Sequence, residues 1–524
     1  MKKTLLTMVA ISSLMALLTI SCQKDKTETT TTFTATLEGC SDENGKTTMA
    51  GTTMYWVSGD QIRAFGTMGS GVYAASNVTT GRTSFNLVSG NAGGGPFHAV
   101  YPASAANDDG TVELPVVQVT EDGSLTGFPM YTESNSTNLD FKNLCGVLKL
   151  QLQKSGVSVT AIEVTGDIEV TGDFTVNYNG GDPTLSYSGH GTKTVMMTCS
   201  TPQSIASQKD FYIYLPPHVY DAGMRIRIYS SDGRVCTKTV TAGHSVSVQR
   251  GVIVPISLGE NSLSFAPNAG TLPGYFTIDE QGHRVRFSQG NLQYTILGTH
   301  AGVSGSNMPG TWRFAPEQYE HIGEENANIS DTYPKWIDLF GWGTGANPTL
   351  HSSDETEYFN FVDWGTNVIS NGIVQDGEWR TLSITEWIFF FSYRRQNKYG
   401  TGNINGVAGL ILLPDDWTLP DGCTFNAYGS SASLEGDWTH NSYTLEQWAR
   451  MEAAGAVFLP HTGKRYNIYY GYSPDDFGNY WSSTLQPNNF ASFLAFTSAA
   501  FDNSGSSRGR CYLGISVRLV QDVD

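Results

Sequence analysis

The chain has 524 residues, a formal net charge of -18 and only 15% charged residues. Its length sets three domains as the starting expectation. The acidity excludes nucleic acid as a partner, because there is no clustered Lys and Arg to neutralise phosphates.

The first element is a leader. Lys2 and Lys3 precede an apolar run from Leu5 to Ile20, and Ser21 stands directly before Cys22. This pattern predicts a lipoprotein signal peptide over 1–21, with Cys22 as the lipidated residue and an ordinary secretory signal as the alternative. Leu usually stands three residues before the cysteine in such signals, where this chain has Thr19. A polar, Thr-rich stretch through 22–32 cannot bury anything and reads as a tether.

Folded structure is expected from Phe33. With 57 glycines and many Thr, Ser and aromatic residues, composition favours short strands and turns, hence a mainly β protein. Phe33 to Leu37 alternates at period two, and Met54 to Phe65 reads as two strands around a Ser58-Gly59-Asp60 turn. Phe97 to Pro102 and Thr111 to Val119 follow as further strands. Leu139 to Leu152 opens a second set, continued by Ala161 to Val164, Phe211 to Leu215, Met224 to Tyr229 with alternating Arg225 and Arg227, and His244 to Ile256. The predicted units are 33–145 and 146–260, each a β-sandwich.

Several of these blocks together resemble the fimbrillin (Mfa-like) family of Bacteroidetes surface proteins. They are Phe33-Thr-Ala-Thr36, Trp56-Val-Ser-Gly-Asp-Gln-Ile62, Ala99-Val-Tyr-Pro102, Leu139-Asp-Phe-Lys-Asn-Leu144 and Tyr212-Ile-Tyr-Leu-Pro216. The resemblance implies two transthyretin-like β-sandwich domains, a location on the cell outer membrane and fimbrial subunits as partners. It also implies an Arg-directed cut near the N-terminus of shaft subunits, and this chain has no arginine before Arg63. A terminal or accessory position is therefore expected rather than a shaft position.

Two prolines and two glycines between Leu263 and Gly274 mark a linker over 261–274. The last unit, 275–524, is rich in Trp and Gly. Ser383-Ile-Thr-Glu386 and Thr444-Leu-Glu-Gln447 are capping boxes that predict two helices, the second stopped by Gly455. Strands are expected at Leu410 to Leu413, Ala456 to Leu459, Phe490 to Phe496 and Ile515 to Val520, giving an α+β domain. Val285 to Tyr294, Trp312 to Tyr319, Ile337 to Thr344, Gly409 to Trp417 and Tyr480 to Thr484 carry a resemblance to the "major paralogous domain" group. That group is distantly similar to the C-type lectin fold, so a C-type-lectin-like module is implied.

Catalytic chemistry is sparse. Gly505-Ser-Ser-Arg-Gly509 has the spacing of a nucleophile elbow without the strand before it or the helix after it. Gly39 to Thr47 is one residue too long for a phosphate loop. No enzyme activity is expected, and a surface glycan-processing enzyme or a purely structural protein stand as alternatives. For binding, Tyr466, Tyr469, Tyr470 and Tyr472 cluster before a loop, where flat aromatic faces suit sugar rings or protein epitopes. They could equally fill the core.

Similarity to sugar-binding C-type lectins implies ligand contacts from Gln486 and Asn488 and a Ca²⁺ site from Asp502 and Asn503. Gln486 stands where those lectins use an acid, and the Asn-Asp order is reversed, so no cofactor is the main expectation and calcium the alternative. Of seven cysteines, Cys423 and Cys511 fall in one unit and could pair as a disulfide, or remain buried thiols. The expected function is that of a surface adhesin or ligand-binding lipoprotein whose last domain engages a host or microbial glycan or protein.

Overall fold

The computed structural model describes residues 31–38, 47–49, 52–54, 56–79, 82–120, 122–123, 127–221, 224–240, 243–266, 270–298, 310–358, 360–372, 379–392, 398–427, 441–471, 477–497 and 507–523. The leader with Cys22, the glycine-rich stretch from Gly39, Tyr472, Asp502, Asn503 and the start of the Gly505 motif lie outside these residues.

The first unit is a closed barrel rather than the expected sandwich. Strands Phe33–Leu37, Gln61–Gly66, Gly69–Thr79, Arg82–Gly90, Phe97–Tyr101, Met130–Ser134 and Asn138–Asn143 form it. Closure comes from the first strand, which inserts between two others. It runs antiparallel to Arg82–Gly90 and parallel to Asn138–Asn143, with Ala35 opposite both Thr83 and Leu139. A closed sheet leaves no edge to protect. The inward residues of the alternating strands pack around Trp56, whose ring meets Phe85 edge-on at 5.0 Å and Phe141 at 5.5 Å. The predicted turn at Gly59 exists at φ +95. The strand before it, Thr52–Met54, pairs with Thr47–Met49 and not across that turn.

The second unit is a pair of facing sheets that draws strands from both sides of residue 146. One sheet is Lys209–Leu215, Gly146–Leu152 and Ile253–Leu258; the other is Val235–Thr239, Arg225–Ser230, Ser158–Thr165, Thr194–Ser204 and Val117–Thr120. Leu148, Leu150, Ile162, Ile213, Ile226 and Ile228 fill the space between them. Val117–Thr120 lies before residue 146 yet pairs in parallel with Thr194–Ser204, and Val112–Leu114 pairs with Gly172–Asn177. Conversely Val147, Phe174 and Tyr214 belong to the barrel's core. The cut at 145/146 therefore runs through a shared interior.

The third unit is α+β as expected. Both capping boxes form: Ser383 stands before helix α1, Ile384–Ser392, and Thr444 before helix α2, Leu445–Ala453. Gly455 follows α2 at φ +97, a left-handed conformation that suits glycine after a helix end. Among the described residues eight tryptophans of this unit are buried, most of them in two clusters around Phe340 and Phe287. Arg284–Phe287, near the start of the unit, pairs with the opening strand Phe276–Thr277 and lies antiparallel to Leu519–Val523 at its end.

The third unit covers the outer face of the five-stranded sheet. Period-two alternation dictates which residues it meets. In Arg225–Ser230, Ile226 and Ile228 point into the sandwich, while Arg225, Arg227 and Tyr229 face the third unit. In Ser158–Thr165, Ile162 and Val164 point inward and Ala161 and Glu163 outward. A small apolar patch of Val116, Val117, Ala161, Met196, Tyr229 and Trp336 forms the centre of this seam. Around it, Arg227 Nη1 donates to Glu163 Oε1 at 3.1 Å and to the Pro316 carbonyl at 3.0 Å, and Arg225 pairs with Glu317. Lys335 meets Asp173 at 3.0 Å, and His190 stands between Asp173 at 2.6 Å and Glu325 at 3.2 Å.

Such crowding has an electrostatic signature. Burial, then the neighbouring Glu317, pushes the Glu320 carboxyl up to about 7. Within the expected linker, Ala266 bridges to Val235 and Thr271 to Ser288. The third unit thus sits against the sandwich as well as beyond it in sequence.

Candidate functional site

Strands Lys464–Tyr466 and Tyr469–Gly471 form a hairpin with Tyr466 opposite Tyr469 and a two-residue turn at Asn467-Ile468. Asn467 takes φ +52, a left-handed conformation that asparagine tolerates. The turn carries its apolar groups outward: Tyr466 is 36% exposed, Ile468 46% and Tyr469 72%. Three large apolar side chains at one tip are an exception to burial that invites a functional explanation. The predicted aromatic cluster is thus a surface, and not core filling, at two of its positions. Tyr470 turns back, its hydroxyl donating to the Thr462 carbonyl at 3.1 Å, and Tyr472 lies outside the described residues.

A buried arginine holds the tip in place. Arg465 alternates with the outward Tyr466 and is fully buried. Its Nη1 donates to the carbonyl of Asn467 in the turn and its Nη2 to the Leu339 carbonyl at 3.0 Å. Burial, with no carboxylate partner among the described residues, pulls its pKa down to about 10. Gly514, opposite Arg465 on strand Leu513–Gly514, makes room for it, since a Cβ there would lie 2.8 Å from Arg465 Nη2. On the outer side the Lys464 ammonium stands 5.6 Å from the Tyr466 ring centre, a cation–π distance. The result is a rigid aromatic knob with one flanking cation.

Of the residues expected to hold sugar or calcium, Gln486 and Asn488 are described, while Asp502 and Asn503 lie outside the described residues. Gln486 ends strand Gly478–Gln486 and spends its amide on Ser492 Oγ at 2.9 Å. Asn488 follows in an exposed turn at φ +62. Among the described residues no group of three His, Cys, Asp or Glu side chains is placed to hold a metal ion. The proposed disulfide is overturned: Cys423 and Cys511 are both free and buried, in different core clusters. Cys423 Sγ faces the Gln447 carbonyl at 3.7 Å and Cys511 Sγ the Asn489 carbonyl at 3.2 Å.

Arg225 and Arg227 were legible only as alternating strand residues. Together with Glu317 and Glu452 they line a cleft between the sandwich and α2. Two like charges on the outward face of a strand were the signal for a covered, polar seam.

No family model matches the chain, and no curated protein matches it. Among solved structures it is similar to a protein of Bacteroides ovatus provisionally described as a cell adhesion protein, at 14% identity, covering 45% of this chain and 94% of that one with a TM-score of 0.30. A protein of Bacteroides uniformis with the same provisional description is similar at 15% identity, covering 46% of this chain and 96% of that one with a TM-score of 0.30. The tip fimbrial protein Mfa3 of Porphyromonas gingivalis matches at 11% identity, covering 41% of this chain and 82% of that one with a TM-score of 0.21. Likenesses at this level carry no argument about ligand or partner, so the functional reading rests on the chain's own surface.

Proposed function

We propose that the chain is a cell-surface adhesin, lipid-anchored to the outer membrane through Cys22, in which the third unit engages a glycan or protein with the Tyr466–Ile468–Tyr469 tip. A terminal or accessory place among fimbrial subunits fits this reading, with no enzymatic step and no bound calcium. The observation that carries it is the exposed aromatic tip pinned from beneath by Arg465. Rigid aromatic side chains lose little entropy on contact and offer both a flat apolar face and a hydroxyl, which makes them efficient recognition groups. Tip binding needs no groove, so it suits large ligands presented on another surface.

The test is binding of the full chain to a glycan array and to immobilised extracellular-matrix proteins, with and without calcium. A signal that falls sharply in Tyr469→Ala, and is indifferent to calcium, is the expected result. No binding to either class, or binding untouched by changes at Tyr466, Ile468 and Tyr469, removes the adhesive tip. Release of reducing ends from a bound glycan would turn the reading towards a glycan-processing enzyme.

A further inference from the structure

The seam between the sandwich and the third unit is not closed along its whole length. Where Arg225–Ser230 and Val235–Thr239 approach α2, a cleft of about 470 Å³ remains. Its sandwich wall presents Arg225, Arg227 and the exposed Thr237. Opposite, α2 contributes Trp448 and Glu452, which are four residues apart and so share a helix face. Glu317 stands beside them. A volume in the range of about 300–1,000 Å³ is typical of small-molecule sites and excludes a folded partner.

The chemistry of these walls narrows the occupant. Arg225 is already paired with Glu317, and Arg227 with Glu163, so the cations are neutralised within the protein. An anionic ligand would meet Glu452, which has no ion-pair partner among the described residues, in a half-buried space with no cation to spare, which is costly. Acceptor capacity is nevertheless left over. Glu452 receives one hydrogen bond from Gln318, at 2.9 Å to Oε2, and Glu317 receives one from Arg225. Among the described residues neither second carboxylate oxygen has a hydrogen-bond partner, nor has the Thr237 hydroxyl on the other wall. A group that donates to the carboxylates and also accepts from Thr237 fits both sides, and an alcohol does both at once.

We propose that this cleft is a binding site for a neutral polyhydroxylated ligand the size of a mono- or disaccharide, separate from the tyrosine tip. Its hydroxyls donate to Glu317 and Glu452 and exchange a bond with Thr237, over an apolar floor that includes Trp448. Because the walls come from two units, occupancy clamps the third unit to the sandwich. Ligand binding therefore raises the thermal stability of the seam by mass action.

Saturation-transfer NMR on the full chain with glucose, galactose, mannose, N-acetylglucosamine and lactose at millimolar concentration tests this. Ala449→Trp and Thr237→Trp fill the cleft from opposite walls at exposed positions. Each is expected to weaken binding at least about ten-fold, more than loss of one hydrogen bond would, with an unchanged melting midpoint in the absence of sugar. Glu452→Gln keeps the shape and the Gln318 contact, and is expected to weaken binding by a smaller factor, which keeps the test open if a tryptophan variant fails to fold. Tyr469→Ala leaves saccharide binding intact, which separates this site from the tip. Binding that survives both tryptophan fillers overturns the proposal. So does tighter binding of N-acetylneuraminic acid or a dipeptide than of the neutral sugars, or no saccharide signal at all.

Discussion

The sandwich is joined to its two neighbours in opposite ways. Towards the barrel the contact is a continuation of core, with Val147, Phe174 and Tyr214 inserted among barrel residues and the Glu38–Arg250 pair at its edge. Towards the third unit, a patch of six buried apolar residues is ringed by Glu163–Arg227, Arg225–Glu317, Lys335–Asp173 and the His190 contacts. Apolar burial is insensitive to pH and strengthens with exclusion of water. A seam of half-buried ions depends on geometry and protonation, and breaking one partner is expensive while replacing both is not. The first junction makes one folding unit of two; the second makes a firm but conditional attachment.

The largest effect expected from this contrast is at the barrel. Trp56→Ala removes the ring that meets Phe85, Tyr101 and Phe141 and is expected to cost about 3–5 kcal/mol. Calorimetry should show barrel and sandwich melting together at a lowered temperature; two separated transitions would break the idea of a shared interior.

Next comes the seam. Arg227→Ala strands the buried Glu163 carboxylate and should cost about 3 kcal/mol, seen in urea titration as earlier release of the third unit. A Glu163→Leu, Arg227→Leu double variant should recover most of that loss, and failure to do so would mean that the pair contributes more than mutual compensation.

The third expectation concerns pH. Glu320 in the folded chain holds its proton up to about 7, and burial, the first cause, also raises Glu452. In the unfolded chain these carboxyls ionise near 4.3. Between those values the folded state binds more protons, so stability is full below the unfolded pKa and falls as pH rises through the folded one. The melting midpoint of the third unit should drop on going from pH 5 to pH 7.5, and Glu320→Gln should flatten that slope. The smallest effect on stability is Tyr469→Ala, expected within about 0.5 kcal/mol of the parent, because the ring packs on nothing it would leave empty; a larger change would mean that the tip is structural.

How much of this was legible follows from what period and caps can encode. Alternation located most strands, because inward residues such as Ile226 and Ile228 differ in polarity from their neighbours, and the boxes at Ser383 and Thr444 located both helices from local bonding alone. The barrel was hidden because closure depends on which strands flank Phe33–Leu37, a fact of long-range register. The transfer of Val112–Leu114 and Val117–Thr120 to sandwich pairings was hidden for the same reason. At the tip, the cluster of tyrosines was visible but its orientation was not. Arg465 turns inward to reach Leu339, 126 residues distant in sequence, and its alternating neighbour Tyr466 therefore faces out. Arg225 and Arg227 were visible as a polar strand face, and only the structure shows that another unit covers it.

The placement of Phe33–Leu37 has a mechanical corollary. It is the first described strand of the folded body and is bonded along both sides, to Arg82–Gly90 and to Asn138–Asn143. Tension arriving from the preceding chain pulls along the strand axis, across ladder bonds that run perpendicular or slanted to it. Those bonds are sheared together instead of peeled one after another. A chain held at its N-terminal side and tugged at its far end would therefore load these bonds in shear at the point where the pull enters.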